Sequence, residues 1–173
     1  MRFLVFCGLI LMLLSVTARA QSSAEQIEAL CKTVVCREPT TVKLKLNNKE
    51  YAQFDFPKSP FVAEGFINVL SGEKFGVELE EKDGNLENPR YVKEISHPER
   101  TISVAFSQTD EGMVLTIQNP FAKPIVYECM IQHYKDEGFS KTSVVPVGAK
   151  LVSFELWPYP IAQVVISNVH YQK

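Results

Sequence analysis

The stretch that decides the fold is Met113–Ile131, MVLTIQNPFAKPIVYECMI. Two apolar, alternating runs flank an Asn-Pro pair. Leu115 and Ile117 alternate with Thr116 and Gln118, and Asn119-Pro120 ends that run. Lys123-Pro124 then resets the backbone, because proline fixes φ. In the second run Ile125, Tyr127, Cys129 and Ile131 share one face, and Val126, Glu128, Met130 and Gln132 share the other. A period of two with one mainly apolar face predicts a strand of an antiparallel sheet covered on that side. The partly apolar second face of 125–131 predicts a position inside its sheet. The stretch therefore reads as scaffold.

The same period recurs outward in both directions. Val42, Leu44 and Leu46 alternate with lysines, Asn47-Asn48 offers a turn at which asparagine tolerates positive φ, and Ala52, Phe54 and Phe56 alternate on the far side. This predicts a hairpin, ended by Pro57 and Pro60. Strands follow at Phe66–Leu70 and Phe75–Glu80, a short one at Tyr91–Ile95, and others at Ile102–Phe106, at Val152, Phe154 and Leu156, and at Val164–Tyr171. The segment EEKDGNLENP between Leu79 and Arg90 reads as a solvated acidic turn. About nine or ten short strands with turn signals between them predict a sandwich or barrel.

The N-terminus has a different character. Arg2, the apolar run Phe3–Val16 and Ala18-Arg19-Ala20 form the pattern of a cleavable secretory signal over residues 1–20. The run is short for a membrane-spanning helix, so an uncleaved anchor is the lesser alternative. No stable membrane insertion is expected once the signal is removed. Cys7 lacks the context of a lipoprotein cleavage site. Residues 21–40 read as a short helix and a linker. Ser22 or Ser23 would cap the helix, with Glu25 or Gln26 three residues on, and Ile27, Leu30 and Val34 would form its apolar stripe. Residues 41–173 form the β-domain.

Removing residues 1–20 from 173 leaves 153, enough for one domain with its own core. It also removes Arg2 and Arg19, leaving 16 basic against 20 acidic residues and a net charge of -4. There is no basic patch with interleaved aromatics, so nucleic acid is not an expected partner. Three cysteines remain in an oxidising compartment, and an odd count leaves one free or shared between chains. Cys31 and Cys36, spaced C-x4-C, are close enough to bridge locally. Pairings of either one with Cys129 stay open. Cys129 equally reads as a buried strand thiol.

Within the opening stretch, LTIQNPFAKPIVYECMI resembles the strand–Asn-Pro–strand segment of immunoglobulin-like periplasmic domains, those of pilus chaperones among them. The likeness spans seventeen residues, Leu115–Ile131. It implies a single immunoglobulin-like antiparallel β-sandwich, preceded here by the short N-terminal helix read from residues 21–40. Pilus chaperones have two such domains, and this chain has length for one. Their basic anchor for a subunit carboxylate has no matching position here, so the resemblance implies a fold and no chaperone activity.

Catalytic signals are sparse. His97, His133 and His170 do not form H-x-H or H-E-x-x-H, so no metal site and no cofactor are expected from local spacing. His133 and His170 lie on expected strands that could bring them together. Ser71–Lys74, SGEK, matches the S-x-x-K of acyl-serine enzymes, and Lys141-Thr142-Ser143 faintly echoes their K-T-G. That chemistry needs the serine at a helix start, and Gly72 between β-runs argues against one. GFSKT, Gly138–Thr142, lacks the last glycine of a nucleophile elbow. Glu80, Glu81, Asp83, Asn85 and Glu87 could offer oxygens to Ca²⁺, but not at the spacing of a calcium loop.

The strongest binding signal is Glu155–Ile161, ELWPYPI. Trp157 and Tyr159 interleave with Pro158 and Pro160, and prolines stiffen a segment at low ordering cost. Aromatics on a rigid loop make recognition anchors. In the competing reading Trp157 plugs one end of the core. The expectation is a secreted, periplasmic or extracellular non-catalytic module that contacts another protein by this loop or by a sheet edge. A small hydrolase or metal-dependent enzyme whose site forms only in three dimensions is the rival class. A structural cell-envelope protein is the third.

Overall fold

The two strands of the opening stretch form, but they lie in different sheets. The computed structural model describes residues 25–173. The expected export signal and the proposed caps Ser22 and Ser23 lie outside the described residues. Glu25–Leu30 is helical, and Cys31 N–H closes on the Ile27 carbonyl. The chain divides into a unit ending at Val34 and one spanning Val35–Lys173. Cys31 and Cys36 are disulfide-bonded, and Cys129 is free.

The second unit is built of strands: β1 (Cys36–Arg37), β2 (Thr40–Lys45), β3 (Tyr51–Phe56), β4 (Ser59–Pro60), β5 (Val62–Ala63), β6 (Phe66–Leu70) and β7 (Lys74–Lys82). There follow β8 (Asn85–Val92), β9 (Thr101–Gln108), β10 (Met113–Gln118), β11 (Ile125–His133), β12 (Ser140–Thr142), β13 (Val152–Trp157) and β14 (Ile161–Tyr171). One five-stranded sheet has the order β13-β10-β9-β7-β8, and a second has β12-β11-β14-β6-β5. β2 pairs with β3, β1 pairs with β4, and every described pairing is antiparallel.

The buried parities match the alternation. Leu115 and Ile117 of the first sheet and Ile125, Tyr127, Cys129 and Ile131 of the second join one hydrophobic cluster with Ile102, Val104 and Phe106. β11 lies between β12 and β14, as its two partly apolar faces require. The β10–β11 connection therefore crosses from sheet to sheet, and Asn119 holds the crossing. Its Nδ2 donates to the carbonyls of Lys123, Val147 and Gly148 at 2.9, 3.0 and 3.0 Å, and its Oδ1 accepts the Phe121 N–H at 2.8 Å. At 1% exposure this side chain satisfies backbone groups that water cannot reach.

Two local expectations are corrected. The acidic segment after Leu79 is a hairpin rather than a loop. β7 and β8 run through it and turn on Asp83-Gly84, both at positive φ (52° and 78°), as in a two-residue type I′ turn. Its carboxylates stay in solvent, so the acidic composition reflected exposure and not irregular backbone. The β2–β3 turn forms as expected but by a different device, since neither Asn47 nor Asn48 has positive φ. The Asn47 side chain instead accepts the N–H groups of Lys49 and Glu50.

A second lock was not anticipated. Arg37, in β1, is buried and forks onto Glu73 through Nε–Oε1 (2.8 Å) and Nη2–Oε2 (3.0 Å). The same carboxylate accepts the Leu70 N–H at 2.7 Å, and the guanidinium also stacks over Phe61. This pair fastens β1 to the β6–β7 turn.

Candidate functional site

β13, Val152–Trp157, is an edge strand with its apolar side turned outward. Its sequence VSFELW places Val152, Phe154 and Leu156 on one face and Ser153, Glu155 and Trp157 on the other. The second set faces inward. Trp157 is 6% exposed, meets Phe106 edge-to-face and donates Nε1–H to Thr142 Oγ1 at 3.2 Å. Glu155 Oε1 accepts the Val145 N–H at 2.7 Å. These two contacts tie β13 to the chain that runs along the edge of the other sheet. Both are made by side chains, and among the described residues no backbone hydrogen bond leaves the free side of β13.

With the inward positions so committed, the apolar parity has nowhere to go but solvent. Phe154 is 67% exposed, Leu156 53% and Val152 44%, and Leu151 just before them is 60% exposed. The strand-in neighbours extend this surface without charge. Val152, Phe154 and Leu156 stand opposite Gln118, Thr116 and Val114 of β10, which in turn oppose Ser103, Ala105 and Ser107 of β9. Edge strands are ordinarily protected from other chains by lysine, proline, a bulge or a cover. β13 carries no lysine or proline, and its six-pair register with β10 is unbroken.

Beyond Trp157 the chain turns at Pro158-Tyr159-Pro160 and lines a surface cleft of about 240 Å³. The other walls are the β2–β3 turn at Lys45–Asn48 and the β9–β10 turn at Gln108–Gly112. Gln108 bonds both backbone groups of Lys45 at 2.8 Å, which fixes two walls together. Gly112 fixes the third. It sits at φ 143°, and a Cβ there would lie 2.2 Å from the Trp157 carbonyl oxygen. Only glycine allows that approach. Tyr159 packs edge-to-face on His133 with ring centres 5.3 Å apart.

The expected binding residues thus separate. Pro158, Tyr159 and Pro160 reach the cleft, while Trp157 is a buried plug that holds their loop in place. The neighbouring β13 face was overlooked because its alternation reads like that of any half-buried strand. The signal that could have exposed it is Trp157 itself, the largest side chain of the segment, which shares its parity with Ser153 and Glu155.

The elements proposed for catalysis do not converge. His133 pairs with Ile161 at one end of the β11–β14 ladder and His170 pairs with Val126 at the other. His97 lies in the β8–β9 loop near Glu99. SGEK lies on the turn into β7, and GFSKT runs into β12. Glu80 accepts Asn88 and pairs with Arg90, while Glu81 accepts the Tyr171 hydroxyl and pairs with Lys123. Among the described residues no group of three or more His, Cys, Asp or Glu side chains could hold a metal ion. None of their helices is long and apolar enough to cross a membrane.

Behind β13 the side chains of Tyr127, Cys129, Ser153 and Glu155 are neighbours. Burial, reinforced by the Glu155 charge, pushes the Cys129 thiol up to about 12. Burial raises the Tyr127 phenol as well, with Glu155 again the second cause. The Tyr127 hydroxyl and Ser153 Oγ are buried beside each other, and contact between them offsets only part of that rise. A thiol held protonated is a poor nucleophile, so Cys129 acts as a packing residue. The surface outside it presents exposed apolar side chains and the free edge of a strand. No protein-family model, curated protein or solved structure matches this chain.

Proposed function

We propose that this chain is an exported, non-catalytic module with an immunoglobulin-like β-sandwich fold that docks another protein along the β13 edge. Residues 1–20 would direct export to the periplasm or the cell exterior. The fold reading is supported by two antiparallel five-stranded sheets that share one core, with the Asn119 crossing passing between them. The docking reading rests on one observation: an unprotected edge strand whose three alternate side chains, centred on Phe154, are apolar and exposed. A partner strand added there gains main-chain hydrogen bonds along the edge and side-chain contacts on the outer face. The Pro158–Pro160 turn and its cleft continue the surface at the end of the strand.

The test is affinity capture after chemical cross-linking in the secreting cell. Wild type is compared with Phe154→Lys and with Phe66→Lys, which places the same charge at an exposed site in the other sheet. Circular dichroism confirms that each variant folds. Loss of cross-linked partners in Phe154→Lys alone supports the edge. An unchanged partner set in all three proteins removes it.

A further inference from the structure

We infer that the occupant of the β13 edge is a second copy of this chain, with two β13 strands pairing antiparallel about a two-fold axis through Phe154. This rests on the reading of β13 as a docking edge, and goes further by naming the partner and the register.

The register follows from parity. Side chains alternate with period two, so a joined sheet keeps its outer faces aligned only if paired residues share parity. A two-fold axis must therefore pass through a residue, and the positions nearest the middle of Val152–Trp157 are Ser153, Phe154, Glu155 and Leu156; an axis through Leu156 sets Phe154 against Pro158, beyond the end of the strand. An axis through Glu155 sets two carboxylates opposite each other, which is repulsive. An axis through Ser153 sets Lys150 against Leu156 and Leu151 against Glu155, charge against exposed apolar surface. An axis through Phe154 pairs Val152 with Leu156, Ser153 with Glu155, and Phe154 with its own copy. Every apolar side chain of the outer face then meets an apolar one, with an aromatic pair at the centre. No like charges are opposed.

The strand is thus complementary to itself. An isologous contact of this kind closes with two copies and leaves no further free β13 edge, so it limits assembly to a dimer. The uncharged rows of β10 and β9 behind it let the outer faces approach without electrostatic cost. A seam one strand long lies at the small end of protein interfaces, so the dimer is expected to be weak.

Sedimentation equilibrium of the processed chain over a wide concentration range reads the assembly directly. The wild type is expected to pass from monomer to dimer. Phe154→Lys, which opposes two lysines at the axis, is expected to weaken the dimer roughly tenfold or more. The register is read by cysteine pairing. Phe154→Cys is expected to cross-link to itself on mild oxidation. Val152→Cys and Leu156→Cys are expected to cross-link to each other in a mixture, and each far less to itself. A wild type that stays monomeric overturns the inference, as does a dimer that ignores Phe154→Lys and gives no Phe154→Cys cross-link. If that monomer still loses its cellular partners in Phe154→Lys, the docking edge stands and only self-pairing falls. If those partners are unchanged, both fall.

Discussion

Asn119 Nδ2 lies 3.0 Å from the carbonyl oxygen of Val147, 28 residues further along the chain. That bond joins the β10–β11 crossing to the loop that leads into β13, so one carboxamide sets the path of the chain toward the candidate surface. Replacing Asn119 with Ala orphans the buried N–H of Phe121, while the carbonyls of Val147 and Gly148 lose one donor and keep the N–H groups of Ile125 and Leu151. The orphaned N–H costs about 1–3 kcal/mol and each shared carbonyl adds about 0.5–1 kcal/mol, giving an expected destabilisation of about 2–4 kcal/mol. Urea denaturation checks this. A midpoint within error of wild type contradicts the clamp.

Arg37 and Glu73 form the other lock. Removing one member of a buried ion pair strands its partner, and the expected loss for Arg37→Ala is about 3–5 kcal/mol. Arg37→Met with Glu73→Leu removes both charges and is expected to recover most of it. A double-mutant cycle by chemical denaturation measures the coupling. A double variant as unstable as the sum of the two single variants would show that the pair acts independently.

Thiol titration of a chain comprising residues 21–173 separates Cys31, Cys36 and Cys129. Cys129 is fully buried, and Cys31 and Cys36 are bonded. The folded protein is expected to show no reactive thiol, the unfolded protein one, and the unfolded, reduced protein three. A rapidly reacting thiol in the folded state contradicts the burial of Cys129.

The same thiol sets an alkaline limit. Its folded pKa, about 12, lies above the ordinary value of 9.0, so the unfolded state releases this proton first as pH rises. The stability it contributes is complete below pH 9 and is lost between 9 and 12. The slope approaches about 1.4 kcal/mol per pH unit for this one group. Tyr127, also raised, acts in the same direction. Chemical denaturation at pH 8 to 10.5 is expected to show falling stability, and Cys129→Ala a shallower fall. Identical slopes would exclude the thiol as a cause.

Periodicity along the chain identified the elements well and their orientation less well. The core strands around Val104, Ile117 and Cys129 were legible because apolar residues there coincide with the buried parity. β13 has the same period with the opposite sign. Trp157, anchored on Phe106 and Thr142, outweighs the smaller Val152 and Leu156 and decides which parity turns inward. Period alone cannot specify which face is covered, since that depends on neighbours brought in by the rest of the chain. The Pro158–Pro160 turn was legible from composition, but the cleft was not, because its other walls come from turns more than forty residues away in sequence. The Arg37–Glu73 lock was hidden for the same reason: its partners are 36 residues apart and neither sits in a motif.

The exposed face of β13 is tested most directly by a photo-reactive amino acid at position 154, with position 66 as the control. Illumination of intact cells is expected to produce a discrete cross-linked protein from position 154 and none from position 66. Position 154 yielding no adduct, or the same adducts as position 66, would contradict the assignment of this edge as a docking surface.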